Sequence, residues 1–287
     1  MKKFRAYYQL VKPGVMYGNV LTGAAGFLLA SQGDVQWLLF VATIVGMTLV
    51  VSSACALNNY LDRDIDSKME RTKARPSVTG AVAPGAILRY AIILGVIGIG
   101  VLALWTNWLV VAIGMVGFVT YVWFYGAWSK RQSIHGTLVG SISGAMPIAG
   151  GYAAVSGQID IGLVIAFLVL FFWQFPEFYS IAIYRRKEYA AAKVPVMSVV
   201  KGIQSSIVQI YIYTGLYVLS TLALTFAGLT GWLYFAIMAA FGIHWMWVAY
   251  LGLRTSAPEK WAKRMFKLSM VNVLAFCVMC ALGPLWP

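Results

Sequence analysis

The chain alternates between long apolar runs and short polar segments. A helix needs about 20 residues to cross the hydrocarbon core of a bilayer, and nine runs approach or exceed that length. They lie at about 13–31, 37–57, 86–104, 108–128, 134–155, 161–183, 207–228, 231–252 and 268–286. The pattern predicts an all-α polytopic membrane helix bundle of about nine transmembrane helices, forming a single domain over 1–287.

The composition agrees with a membrane protein and excludes a soluble one. Hydrophobic residues make up 61% of the chain and charged residues only 11%, whereas about a quarter of the residues in a soluble domain are charged. The cysteines Cys55, Cys277 and Cys280 all lie in apolar helical sequence. We therefore expect them to pack in the bundle and not to bind a metal.

Positive charge lies on one side of the predicted bundle. All 22 Lys and Arg residues fall before the first span, or in and beside the segments that follow spans two, four, six and eight. Because basic segments remain on the cytoplasmic side, we expect a multi-pass cell (plasma) membrane protein with a cytoplasmic N-terminus and an external C-terminus. This asymmetry explains the net charge of +13, so we expect no nucleic-acid partner.

Two segments on the basic face are long and contain carboxylates, at about 58–85 and 184–206. Four of the chain's nine carboxylates lie in the first, namely Asp62, Asp64, Asp66 and Glu70. The second contains Glu188. Four spans separate the two segments, and an even number of crossings returns the chain to the same side of the membrane. We therefore expect Glu188 to lie on the same face as the acidic stretch.

Asn58, Asp62 and Asp66 would share one helical face, with Asn59 beside them, if the second span continued as a helix through 58–70. Carboxylates at positions i and i+4 repel each other, and a bound cation would remove that repulsion. Carboxylate and amide oxygens without His or Cys suit Mg²⁺. The alternative is a solvated helix whose acids pair with neighbouring Arg and Lys side chains.

Basic residues surround this stretch, and local pairing with them is the role we expect for Asp64 and Glu70. Acids that hold Mg²⁺ inside a ring of Arg and Lys suit a diphosphate, and a site beside lipid suits a hydrocarbon tail. Asn19 is a polar residue inside the first span and therefore a functional candidate, with helix–helix hydrogen bonding as the alternative. The predicted diphosphate-binding residues are Lys12, Asn19, Arg71, Arg75, Lys130 and Arg131.

The fifth span has glycine at every fourth position, at Gly136, Gly140 and Gly144. One face of this helix therefore has no side chains. Close helix–helix packing through small residues is one interpretation. The other is a smooth wall against which a flat, bulky ligand can lie.

Several segments resemble a known family. Asn58-Asn-Tyr-Leu-Asp-Arg-Asp-Ile-Asp66, followed by Arg71-Thr-Lys-Ala-Arg-Pro76, resembles the NDxxDxxxD-type signature of the UbiA-type intramembrane prenyltransferases. The opening Asn-Asn pair, the glycine-rich fifth span and Trp173-Gln-Phe-Pro176 are similar to the haem-farnesylating branch of that family, the protohaem IX farnesyltransferases or haem O synthases.

The resemblance implies transfer of the farnesyl group of farnesyl diphosphate to a vinyl group of haem B, with water added, to make haem O. It implies Mg²⁺ as cofactor, the lipid bilayer as surroundings, and a haem O acceptor such as a haem A synthase or a terminal oxidase. Prenylation of an aromatic quinone precursor is the alternative. The implied catalytic residues are Asp62, Asp66 and Glu188, and the implied metal ligands are Asn58, Asn59, Asp62, Asp66 and Glu188.

The chain departs from the family pattern at three positions. The family commonly has a histidine after the proline of the Trp173–Pro176 segment, where this chain has Glu177, and Lys193 and Ser198 stand in place of a glycine and a proline. The two histidines of the chain are His135 and His244. Glu177 and His135 are the candidates for contact with haem, and a hydrogen-bonded residue at a helix end is the alternative for His135.

Overall fold

The computed structural model describes residues 2–282, and the regular structure in that range is helical. A π-helix, Thr120–Ser129, connects α6 to α7. The helices are α1 (Lys2–Leu10), α2 (Pro13–Ser31), α3 (Trp37–Leu61), α4 (Arg63–Asp66), α5 (Pro84–Trp105), α6 (Trp108–Val119), α7 (Lys130–Gln132), α8 (Gly136–Ser156), α9 (Ile161–Tyr184), α10 (Arg186–Ala191), α11 (Met197–Val200), α12 (Ile203–Phe226), α13 (Trp232–Gly252) and α14 (Pro258–Leu282).

Nine membrane-spanning segments can be drawn within residues 2–282, which confirms the predicted number. The ninth begins well before the predicted start at about 268, because α14 starts at Pro258. Proline is favoured in the first turn of a helix, and Glu259 in that turn interacts favourably with the helix dipole. Four basic residues that were expected in a connecting segment are therefore helical: Lys260, Lys263, Arg264 and Lys267. The predicted end of this span, near 286, lies outside the described residues.

Tryptophans mark the end of the bundle opposite to the basic segments. Trp37 and Trp108 begin α3 and α6, Trp105 ends α5 and Trp232 begins α13, and all four are exposed. Their amphipathic rings suit the headgroup region of a bilayer. The exposed faces between the two ends are aliphatic, as at Ile93 on α5, which is the surface that a polytopic membrane protein presents to lipid.

The glycine-rich helix α8 lies at the centre of the bundle, where it packs against α2, α6 and α9. The closest approach is to α2, because a Cβ atom at Gly151 would lie only 1.9 Å from the carbonyl oxygen of Gly23. Gly140 and Gly144 instead meet side chains, because a Cβ atom would lie 3.1 Å from the ring of Tyr125 and 2.0 Å from Oε1 of Gln174. Neighbouring groups therefore pack closely against the small residues of α8, although at Gly140 and Gly144 these groups are side chains and not a helix backbone.

Two tryptophans in the second half of the bundle form hydrogen bonds between helices, which satisfies their indole N–H groups where water is absent. The indole of Trp173 donates to the carbonyl of Ser269 at 2.8 Å, and that of Trp261 donates to the carbonyl of Val248 at 2.8 Å. Phe175 stacks on Tyr213 with ring centroids 3.7 Å apart. The Trp173 contact holds α9 against α14, and the Phe175 contact holds α9 against α12. Together they fix the position of α9, which forms one wall of the site described below.

We expect Gly151→Ala to destabilise the bundle by about 2 kcal/mol, because the added methyl group forces α8 away from α2. The measurement is the thermal unfolding midpoint in detergent. The matched control is Gly100→Ala in α5, where an added Cβ meets no atom within 4 Å and alanine is the better helix former by up to about 1 kcal/mol. Equal midpoints for the two variants would contradict the close crossing.

Candidate active site

A cavity of about 830 Å³ lies between α2, α3, the π-helix, α8, α9 and α14. This volume is within the range of small-molecule and cofactor sites, roughly 300–1,000 Å³. Most of its wall is apolar, and its polar part is at the end of the bundle where α3, the π-helix and α9 terminate. The charged and amide side chains that line it are Lys12, Asn19, Asn58, Asp62, Asp66, Arg71, Arg75, Lys130, Gln174, Glu177 and Arg185.

The end of α3 presents Asn58, Asp62 and Asp66 to this cavity. The backbone N–H of Asp62 donates to the carbonyl of Asn58, and that of Asp66 donates to the carbonyl of Asp62, at 2.9 and 2.8 Å. The helical register therefore persists to Asp66, as the sequence predicted, and all three side chains are buried. The helix does not continue to residue 70 as predicted. The hydroxyl of Thr72 donates a hydrogen bond to the carbonyl of Asp66 at 3.0 Å, and the chain turns there.

Each carboxylate on this stripe has a basic partner from another part of the chain. Lys130 contacts Asp62 Oδ2 at 2.5 Å, and Arg75 contacts Asp66 Oδ2 at 2.6 Å. The ammonium group of Lys12 donates to Asn58 Oδ1. The acids are 0% and 3% exposed, and buried carboxylates are stable only when paired.

One carboxylate oxygen of the stripe lacks a hydrogen bond. Asp62 Oδ1 is buried and accepts no hydrogen bond from the described residues, with the guanidinium of Arg131 3.9 Å away, although a buried unsatisfied acceptor costs about 1–3 kcal/mol. A bound divalent cation would satisfy it. Two carboxylates and an amide oxygen form the donor set that Mg²⁺ uses when it shares its shell with a phosphate group, so Asn58, Asp62 and Asp66 fit such an ion.

The cavity attracts an anion, because its wall has more basic than acidic side chains. Burial, together with the nearby charge of Arg75, lowers the pKa of Lys12 to about 8. Both causes disfavour a second positive charge in the same place. A bound diphosphate would raise the pKa of Lys12 again, because its negative charge would balance the positive charges of Lys12, Arg75 and Lys130.

Glu188 does not lie on the cavity wall, in contrast to its predicted place beside Asp62 and Asp66. Its carboxylate pairs with Arg185 at 2.7 Å, within the same turn of chain, and Arg185 is the residue that reaches the cavity. Among residues 2–282, no three His, Cys, Asp or Glu side chains lie close enough together to hold a metal. The role of Glu188 as a metal ligand therefore stays a prediction.

The two long segments nevertheless meet, as their common side of the bundle predicts. Ile65 and Met69 of the first pack against Ala192 and Val194 of the second in a small buried cluster. Lys193, between them, has a φ of 56°, which is the left-handed region where glycine has no steric cost. The glycine that the family pattern has at this position would adopt such a conformation without the steric cost that lysine bears.

Two predicted site residues lie outside the cavity, and a third lies on its wall. Asn59 does not line the cavity, since its amide donates to the carbonyls of Leu10 and Cys55 at 2.6 and 3.2 Å. Arg131 also lies off the wall, where both of its terminal nitrogens contact the Asp64 carboxylate at 2.7 Å. Asn19 does line the cavity, but its amide donates to the carbonyl of Val15 in its own helix. Asn59 and Arg131 therefore position the end of α3.

Asp64 and Glu70 pair locally, as predicted from the sequence. The guanidinium of Arg131 lowers the pKa of Asp64 to about 2, and Glu70 contacts Lys73 at 2.7 Å. Both carboxylates are exposed. Exposed pairs of this kind contribute little to stability, so neither acid takes part in the buried site.

The structure separates the two candidates for haem contact. His135 is exposed and lies immediately before α8, and it does not line the cavity. Its backbone N–H donates a hydrogen bond to the hydroxyl of Ser133 at 3.1 Å, within the turn that precedes α8. Glu177 does line the cavity, on the face that α9 turns towards α8 and α14.

Sequence reasoning missed two tyrosines on the π-helix. Tyr121 and Tyr125 line the cavity beside the acids, with ring centroids 5.8 Å apart. The hydroxyl of Tyr121 is 3.4 Å from the Lys12 nitrogen, and Lys130 lies 6.0 Å from the Tyr125 ring centre. π-Helical segments often occur at functional sites. Such segments have no recognisable periodicity in sequence. The only sequence signal was the presence of two tyrosines within the ten residues that precede Lys130.

Comparison with known proteins decides the family. The model described as the UbiA prenyltransferase family matches residues 19–271. The chain belongs to this family. It is 46% identical over 273 residues to Protoheme IX farnesyltransferase 2 of Pseudomonas entomophila (strain L48), a match that covers 95% of this chain and 92% of that protein. It is 44% identical to Protoheme IX farnesyltransferase of Chromohalobacter salexigens, over 97% and 94% of the two chains.

Solved structures share the UbiA fold. A digeranylgeranylglyceryl phosphate synthase superimposes with a TM-score of 0.83 at 16% identity, over 99% of both chains. A UbiA homologue from Archaeoglobus fulgidus, bound to DMAPP and Mg²⁺, superimposes with a TM-score of 0.73 at 14% identity, over 96% of this chain and 98% of that one. The UbiA family thus includes members that bind a divalent metal together with a prenyl diphosphate.

We expect Asp62→Asn and Asp66→Asn each to lower prenyl transfer by at least about a hundredfold, because each removes a charge that would hold the metal and its diphosphate. The measurement is turnover of a prenyl diphosphate by purified, folded enzyme. Asp64→Asn is the matched control, since it removes the same charge two residues away and outside the cavity. We expect it to retain most activity and to lose less than about 1 kcal/mol of stability. Equal loss in all three variants would refute the assignment.

Proposed function

We propose that this UbiA-family chain transfers the farnesyl group of farnesyl diphosphate to a vinyl group of haem B, with addition of water, to make haem O. The observation that carries the proposal is the 43–46% identity, over at least 95% of the chain, to proteins named protoheme IX farnesyltransferase. The buried acid–base pairs supply the chemistry that such a transfer needs at the diphosphate end.

The polar end of the cavity would bind the diphosphate. Lys12, Arg75 and Lys130 converge there from α2's N-terminus, from the first long segment and from the end of the π-helix. Their charges would oppose those of the leaving diphosphate, and this electrostatic stabilisation grows as the allylic C–O bond breaks. When bound to Asn58, Asp62 and Asp66, Mg²⁺ would supply a Lewis acid for the same oxygens.

The apolar part of the cavity would hold the two hydrophobic groups. Gly140 and Gly144 border it and give α8 a flat face, so the wall interpretation and the packing interpretation of these glycines both apply. Trp173, Phe178 and Phe266 form part of the opposite wall. A cavity of this lining would exclude bulk water, which would otherwise quench a farnesyl cation before it meets the acceptor.

The charge asymmetry of the sequence supports an orientation for the site. We place the polar end at the cytoplasmic face, with the N-terminus cytoplasmic and the C-terminus outside, because every basic segment is at that end. The chain would act as a single domain over 1–287. Haem O is more apolar than haem B by one farnesyl chain, so its acceptor would be a membrane enzyme such as a haem A synthase or a terminal oxidase.

We expect purified protein, incubated with haem B, farnesyl diphosphate and Mg²⁺, to make a product with the mass of haem O. Chelation of the metal should abolish the product and re-addition of Mg²⁺ should restore it, because the buried acids hold the diphosphate only through a cation. Mass spectrometry of extracted haems is the measurement. If the protein makes no haem O from haem B but prenylates a hydroxybenzoate, the result favours the quinone-precursor alternative.

A further inference from the structure

We infer that Glu177 is the general base that takes a proton from the water added to the farnesylated haem. The inference rests on the proposed function and deepens it, since it assigns a residue to the second half of the reaction. It is carried by one observation. Glu177 is an acidic side chain on the apolar wall of the cavity, and within residues 2–282 it has no hydrogen-bond or ion-pair partner.

Glu177 lies at a different depth from the diphosphate site. Seven residues separate it from Tyr184, the last residue of α9, which is about 10 Å along a helix axis. Asp62 and Asp66, in contrast, follow the last residue of α3. The carboxyl group of Glu177 therefore lies deeper in the bundle than the diphosphate site, at the depth where a prenyl chain and its acceptor would meet. Other residues of the cavity wall include Trp173, Ile181 and Met270.

The carboxyl group of Glu177 is free to act. It forms no hydrogen bond or ion pair with any residue in the described range, and its oxygens are not sealed inside the protein. The other two acids on the wall, Asp62 and Asp66, are both paired with basic side chains. A half-buried carboxylate without a partner is costly in an apolar wall, so a role with a ligand or a water explains its presence.

No other side chain at this depth can accept the proton. The amide nitrogen of Gln174 donates to the carbonyls of Ser141 and Leu170 at 3.1 and 2.9 Å, and an amide is not a base at neutral pH. The hydroxyl of Ser143 donates to the carbonyl of Gly140 at 2.7 Å. Neither His135 nor the exposed His244 lies on the cavity wall described for residues 2–282.

The proposed step balances. The π-electron pair of the haem vinyl group forms a bond from its terminal carbon to C1 of the farnesyl group, while the C–O pair leaves with diphosphate. Positive charge then rests on the inner vinyl carbon. A water oxygen bonds to that carbon, and one of its protons passes to the Glu177 carboxylate, leaving the hydroxyl group of haem O. No oxidant or reductant is needed. The competing acceptor for this proton is the released diphosphate, whose basicity is weakened by the surrounding cations.

The test compares Glu177→Gln with wild type in the haem B, farnesyl diphosphate and Mg²⁺ reaction, by mass spectrometry of the haem products. Without the base, we expect the cation to lose a proton from carbon instead, which gives a farnesylated haem lighter than haem O by one water. Haem O itself should fall by at least about a hundredfold, the lower range for a lost general base. Glu177→His should restore the hydroxylated product, because imidazole also accepts a proton. Glu70→Gln is the control for loss of one carboxylate outside the cavity.

Each outcome decides the inference. Farnesylated haem without the added water, from folded Glu177→Gln, supports it. Haem O at the wild-type rate overturns it and assigns the proton to diphosphate. Loss of all farnesylated products in a folded variant also overturns it, because Glu177 would then be needed before the carbon–carbon bond forms. If Glu177→Gln does not fold, Glu177→Met is scored by the same products. A wild-type protein that makes no farnesylated haem would instead refute the proposed function.

Discussion

The structure depends on the burial of two carboxylates at the membrane-flanking end of α3. Asp62 and Asp66 are almost completely removed from solvent, where an unpaired charge would be costly. Their partners come from distant parts of the chain: Lys130 from the end of the π-helix and Arg75 from the segment that follows α4. The pairing therefore holds together elements that are distant in sequence, and it holds them around the cavity.

The same pairing prepares the cavity for an anion. Lys130 and Arg75 pair with the two acids, and Lys12 contacts Asn58 on the same stripe, so three positive charges lie close together. A metal–diphosphate complex can exchange with these contacts, since it brings a cation for the carboxylates and negative charge for the basic residues. Further ion pairs lie beside the cavity, between Arg131 and Asp64 and between Arg185 and Glu188, and the second pair holds a residue of the cavity wall.

The cavity has a charged zone and an apolar zone, because the ends of the helices lie near the membrane surface and their middle parts lie in the hydrocarbon core. Charge is concentrated where the helices end, and the deeper wall is apolar except for isolated groups such as Gln174 and Glu177. Gln174 is satisfied by backbone carbonyls of α8 and α9. Glu177 is half-buried and has no hydrogen-bond partner among the described residues, and an unpaired ionisable group facing a cavity inside the membrane is where reactivity is expected.

The sequence by itself determined the membrane class, the number of spans, the common side of the two long segments and the stripe of Asn58, Asp62 and Asp66. Each follows from hydrophobic length, charge placement or helical periodicity, which are local properties of the chain. Only the tertiary structure decided that Asn59 and Arg131 support the site from outside, that Arg185 and not Glu188 reaches the cavity, and that a π-helix places Tyr121 and Tyr125 on its wall. These outcomes depend on competition between partners that are distant in sequence, and periodicity contains no information about which contact prevails.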